Sequence, residues 1–328
     1  MATQLKKTVK PSGGDYTSLE ACMNANEQNL VTADKYFDVE IDGSWSIADT
    51  TNVTVHNYTT DATRYINIYA TGTARHDGRV AAVSGRSNYI ADLYIDNHGI
   101  SNVTYDGLEI NHAGATFQNY FSDNLLFKNC IFRVASSEQG SHGINIRLGS
   151  PSTMTIRNCI FYGNTANWTI AIYHGEGTAT IYCYNVTVYG WQCAFSDTAG
   201  TMVMKNCVGS ARVSGSWNVH YYNGGTNFSS DSTNNMSGDA STPEYNTYYD
   251  STTPTYVNTG AGTEDFHLAS NDTVAIAHGA DLSATFTDDI DGVTRSGTWD
   301  IGADEYVNPV TNLSVSVQDR AVDKEVYV

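Results

Sequence analysis

The chain has 328 residues, 41% hydrophobic and 16% charged, a balance that supports a packed core and excludes a disordered chain. Its 17 basic residues stand against 35 acidic ones, net −18, so it lacks the positive field that nucleic acid or an anionic membrane surface requires. Twenty-eight glycines and 22 tyrosines with only five prolines favour strands and turns, and no run approaches the length of about eighteen apolar residues that a spanning helix needs.

The opening MATQLKKTVKPSGG has lysines but no apolar stretch after them, so no secretory signal is expected. DYTSLEACMNANEQ then reads as a short helix. Thr17 or Ser18 serves as its N-cap, and Leu19, Cys22, Met23 and Asn26 lie along one face. A short amphipathic helix is a usual cover for the open end of a strand stack, whose edges would otherwise be unpaired. Alternating segments at 38–42, 52–57, 64–70 and 91–96 predict further strands at irregular spacing.

A repeat follows. NLLFKNCIFRVA and TMTIRNCIFYGN share an Asn-Cys-Ile-Phe core, and the same template fits around Leu108, Cys130, Cys159, Val186 and Cys207, at intervals of 22, 29, 27 and 21 residues. In each copy apolar and polar residues alternate, the phase slips by one at the Asn (Gly107 in the first copy), and alternation resumes. A one-residue slip reverses the inward face, so the chain must bend there if both halves are to line one core. Strand, bend, strand every 21 to 29 residues is the grammar of a parallel β-helix. Stacked coils then predict columns: Leu125, Met154, Ile181 and Met202; Phe127, Ile156, Cys183 and Met204; and an amide ladder of Asn129, Asn158, Asn185 and Asn206. Segments 143–148, 169–174 and 218–222 supply a third face.

TVKPSGGDYTSLEACMNANEQNLVTADKYFDVEIDG, with the YTTDATRYINIYATGTARHDG stretch after it, resembles the N-terminal region of right-handed parallel β-helix proteins of tailed phages and prophages. FHLASNDTVAIAHGADLSATFTDDIDGVTRSGTWDIGADEY (266–306) is similar to a C-terminal element of such proteins: Asp-hydrophobic-Asp-Gly, an Arg nearby, then Asp-Ile-Gly-Ala and an acidic-Tyr ending. That element is shared with secreted bacterial proteins. The resemblance implies an all-β, single-stranded, right-handed parallel β-helix with a short N-terminal capping helix. The expected organisation is an N-terminal segment at 1–37, the solenoid at 38–265, a C-terminal cap at 266–306 and a docking tail at 307–328.

Enzymes on this fold align carboxylates, or a carboxylate with a base, on one outer face of adjacent coils. SHGINIRLGS offers His142, faintly similar to the Gly-His-Gly stretch of polygalacturonases, but the Asn-Thr-Asp and Arg-hydrophobic-Lys companions are missing and the only Asp pair is Asp288-Asp289. His174 and Glu176 in YHGEG form a second acid/base candidate, with a solvated turn as the plainer reading. Asp289 and Asp291 in DDIDG are metal candidates without the spacing of a known calcium loop. The six cysteines show no CxxC and read as small buried hydrophobes. Trp168, Trp191 and Trp217 are candidates for stacking on sugars.

In the tail, Leu313, Val315 and Val317 line one apolar face that twenty-two residues alone cannot bury. It is expected to dock on other copies, a homotrimer being the commonest arrangement among the phage proteins resembled, or on other virion proteins. These readings lead to a phage virion structural protein: a head decoration or fibre protein or a short tail spike, with a possible cell-surface glycan contact, no cofactor and no membrane insertion. The alternatives are a carbohydrate-active hydrolase or lyase and a secreted bacterial adhesin.

Overall fold

The computed structural model describes residues 1–80, 88–92, 94–111, 117–120, 122–134, 142–148, 152–163, 169–210, 219–223, 228–239, 248–249, 251–260 and 262–308. The fold is a parallel β-helix. Three parallel sheets, of eight, eight and seven strands, form its faces, and from Ile66–Ala70 to Val219–Asn223 the chain visits them in turn, one strand of each per coil. Leu125–Lys128 lies in the first sheet, Ile131–Val134 in the second and His142–Leu148 in the third, and the next coil repeats them as Thr153–Arg157, Ile160–Gly163 and Ile170–Gly177. Sheet hydrogen bonds therefore run between coils, leaving each coil's side chains free to pack inward.

The register places the predicted columns in contact. Leu125 pairs with Met154, Met154 with Ile181 and Ile181 with Met202, while Phe127, Ile156, Cys183 and Met204 pair in the same order. All eight are buried. In the second sheet Phe132 stacks on Phe161 with ring centroids 4.5 Å apart and planes 5° from parallel. Cys130, Cys159 and Cys207 share an inward column with Leu108 and Val186, and all six cysteines are buried free thiols.

The bend between first and second sheets is the Asn position. Asn129, Asn158, Asn185 and Asn206 all adopt the left-handed conformation, φ between 50° and 57°, which Asn tolerates better than any other residue with a side chain except Asp. Their side chains form the ladder: the Nδ2 of Asn158, Asn185 and Asn206 donate to the Oδ1 of Asn129, Asn158 and Asn185 at 3.1, 3.1 and 2.9 Å. Gly107 fills the corner in the earlier copy at φ +70°. A sixth copy was invisible to the apolar template. Asn234 takes the bend at φ 54°, and polar Ser232 and Asn235 sit at core positions, fully buried. They are accommodated because Ser232 accepts from the Met204 amide and Asn235 bonds both the Cys207 amide and the Met204 carbonyl.

Ser18 is the N-cap of helix Leu19–Ala25, accepting from the Ala21 amide, and Leu19, Cys22 and Met23 are buried toward the first coils. Two N-terminal elements escaped the sequence reading: strand Thr3–Val9, which pairs along its whole length with Lys35–Ile41, and a single helical turn at Leu30–Ala33.

The C-terminal element was expected to cap the far end. It lies instead along the flank. Gly302 donates to the Asn206 carbonyl, Ala303 to the Thr187 hydroxyl, and Asn129 and Asn158 donate to the side chain and carbonyl of Asp288. Beneath it Ile131, Ile160, Val208 and Met236, which point outward from the second sheet, join Phe266, Leu268, Ala275, Ile290 and Ile301 in a second core. Residues 309–328, and with them Leu313, Val315 and Val317, lie outside the described residues, as do Trp168 and Trp217.

Candidate functional site

The sequence's acid/base candidates are dispersed. His142 is part-buried at the start of its strand, its ring against Tyr173 with centroids 4.8 Å apart. His174 pairs in register with Ile146 and with Asp197, which places it in an inward column, fully buried. It is not on a solvated turn. Its Nδ1 is 3.1 Å from Oδ1 of Asp197, also fully buried, a contact of proximity without hydrogen-bond alignment. Glu176 does not join it. A register shift opposite Ile146 and Arg147 makes Gly175 an extra residue, so the alternation flips and Glu176 is exposed, 3.8 Å from Arg147. Trp191, expected as a stacking surface, is fully buried over Gly163, where an added Cβ would meet the indole at 3.0 Å.

Asp289 and Asp291 have different duties. Asp289 is buried, and its oxygens accept from the amides of Asp291 (3.0 Å), Val293 (2.8 Å) and Glu305 (3.2 Å). It shapes the turn that Gly292 closes at φ +81°. Burial pushes its carboxyl above the usual range. Arg295 clasps the other end of the motif: it donates to the carbonyls of Gly302 (2.9 Å) and Ala303 (2.8 Å) and to the Glu305 carboxylate (3.0 Å). Asp300 accepts from the amides of Ala277 and Tyr306, both at 2.7 Å. The Asp-Ile-Asp-Gly, Arg and Asp-Ile-Gly-Ala-Asp-Glu-Tyr signature is thus a set of side chains that satisfies an irregular backbone packed on the outer face of the second sheet.

Asp291 belongs to another cluster. Strand Asp265–Leu268 presents Asp265 and His267 two residues apart, on one face. His267 Nδ1 bonds Asp265, and its Nε2 lies 2.8 Å from Asp291 Oδ2. Asp304 accepts from the Leu268 amide at 2.7 Å, and one donor atom each from His267, Asp291 and Asp304 fall within 4.8 Å of one another. Burial works against a charged imidazole, yet the two carboxylates prevail and hold His267 up at about 11, while burial lifts Asp304 to about 7. Gly78, at φ +74°, closes the cluster from the solenoid side: a Cβ there would meet Asp291 Oδ1 at 2.4 Å and His267 Nε2 at 2.6 Å. Two residues earlier, buried His76 accepts from the Gly78 amide at Nδ1 (3.1 Å) and contacts the Asn129 carbonyl through Nε2 (2.7 Å), a pairing that requires the neutral ring. Burial pushes it down to about 4. Sequence reasoning reached Asp291 and missed His267, Asp265 and Asp304. The available signal was the Asp-x-His pair on an alternating strand.

The first sheet's outer face is half-buried, with Arg157 and Tyr184 lying against Phe286 of the C-terminal element. Along it Glu40, Tyr69, Asp106, Lys128, Arg157, Tyr184 and Lys205 follow one another coil by coil in register. Ion pairs tie its charges: Lys6 to Glu40 at 2.9 Å, and Lys128 and Arg75 to Asp106, both at 3.0 Å. Neither the models of known protein families nor the curated proteins include a match to this chain.

Proposed function

We propose that this protein is a structural component of a phage particle, a head decoration or fibre protein or a short tail spike, acting through its shape and surface. The observation that carries this reading is the placement of the acid/base candidates. His174 is inside the solenoid, Glu176 outside it, and His142 packed on a tyrosine. The likeness of residues 8–43 and 266–306 to phage β-helix proteins supports the same reading. So does the economy of a solenoid that satisfies its backbone coil by coil and leaves the partly exposed outer face of the first sheet, with its tyrosines and paired charges, as contact surface. In this reading 307–328 joins copies to one another, as a trimer, or to neighbouring particle proteins.

The test is to purify particles from a host producing the full-length chain and quantify it by mass spectrometry and immunogold labelling. Fixed stoichiometry and regular labelling are expected, together with loss of incorporation on deleting 307–328. Its absence from particles, or release of reducing ends or unsaturated sugars from polysaccharides in a manner abolished by His142→Ala, would replace this reading with the carbohydrate-active enzyme.

A further inference from the structure

We propose that His267, Asp291 and Asp304 form a binding site for one divalent transition-metal ion of the zinc class, which staples three stretches of the C-terminal element to one another where it lies against the flank of the β-helix. One nitrogen and two carboxylate oxygens are the donor set that such ions accept, with solvent completing the shell. Calcium is disfavoured, because it takes six to eight oxygens.

The geometry goes beyond a gathering of acids. A ligating histidine needs its second nitrogen held so that the first points at the metal, and a carboxylate is the usual holder. Asp265 does this for His267, bonding Nδ1 and leaving Nε2 aimed at Asp291. Asp304 is steadied by the Leu268 amide. Two ligands on a tetrahedral ion with bonds of about 2.0–2.1 Å sit roughly 3.3 Å apart. The Nε2–Oδ2 separation of 2.8 Å therefore has to open by about half an ångström, and the outer limit of 4.8 Å has to close, both within the reach of side-chain rotation. On the solenoid side, the cluster sits against the bare backbone of Gly78, where any Cβ would strike Asp291 Oδ1 and His267 Nε2. Binding replaces the proton on Nε2, which passes to solvent. The ion would tie together three stretches of the element, at 265–268, 291 and 304, beside a residue of the solenoid. The proposal is independent of the virion reading.

The experiment uses the full-length protein, stripped with chelator and titrated with Zn²⁺ by calorimetry, with Co²⁺ loading as a spectroscopic probe. One ion per chain and a raised Tm are expected. Asp304→Asn and His267→Ala should abolish binding, Asp265→Asn should weaken it roughly 10–100-fold with the stoichiometry kept, and Glu176→Gln should leave it unchanged. No saturable binding of Zn²⁺ or Mn²⁺ up to millimolar concentration would overturn the proposal, as would binding that survives His267→Ala. Should that variant fail to fold, the Co²⁺-loaded wild type decides. A single hyperfine-shifted imidazole N–H, lost in Asp265→Asn, supports the site, and no shifted imidazole signal overturns it.

Discussion

The first and second sheets are built from the two halves of one repeat, on either side of the Asn bend, yet they meet different surroundings. In the first, Met154 and Ile156 face the core while Thr155 faces solvent. In the second, Ile160 and Phe161 point to opposite sides and both are buried, Phe161 in the solenoid and Ile160 under the C-terminal element. The difference is written in composition: the first half alternates, whereas the second runs Cys-Ile-Phe without a break, as a strand covered on both faces does. Two adjacent apolar residues at a coil corner therefore mark a flank that something else will cover.

The comparison breaks most completely at Phe161→Asp. An unpaired carboxylate buried in the inward stack costs on the order of several kcal/mol or more, so no soluble folded protein is expected. Recovery of a folded species with native circular dichroism would show that this face is not core.

Matching truncations on the two outer faces come next. Ile160→Ala should lower unfolding free energy by about 3 kcal/mol in urea titration. Thr155→Ala, one strand earlier and facing solvent, should change it by less than about 0.5 kcal/mol. Equal effects would erase the distinction between a covered and an open sheet.

The junction between flank and solenoid can be probed by pH through His76. Its folded pKa is depressed from 6.5 to about 4, so its contribution is present above pH 6.5 and is lost as pH falls through about 4. The loss approaches roughly 3 kcal/mol, because a tenfold change in proton affinity between the folded and unfolded chain is worth about 1.4 kcal/mol. A His76→Gln variant should show a shallower decline over that window in acid-unfolding curves. Parallel curves would remove the ring from the account.

A further probe is the corner. Asn158→Ala loses the amide ladder and places a Cβ-bearing residue without a compensating side chain at φ 50°, for a cost of about 2–3 kcal/mol. Asn158→Gly keeps the backbone comfortable and isolates the ladder, so it should cost about half as much. If the two variants unfold alike, the left-handed conformation is not what selects Asn here.

Much of this molecule is local in sequence. The phase slip at Asn and the return of the template every few tens of residues were legible because each coil repeats the same short-range problem: turn inward, bend, turn inward again; the helix cap was narrowed to Thr17 or Ser18 by local residue type alone. The columns follow once the coils are stacked, since parallel pairing preserves residue order. The sixth coil escaped because Ser232 and Asn235 solve that problem with hydrogen bonds, outside any hydrophobic template. What lies side to side was decided only in three dimensions. The bulge at Gly175 separated His174 from Glu176, since one extra residue inverts a strand's faces. The flank position of 266–306 depends on which apolar surface the finished coils leave uncovered. His267, Asp291 and Asp304 meet because that segment folds back on itself against Gly78. Alternation along a strand says which residues share a face; it carries no record of which distant segment will come to rest on that face.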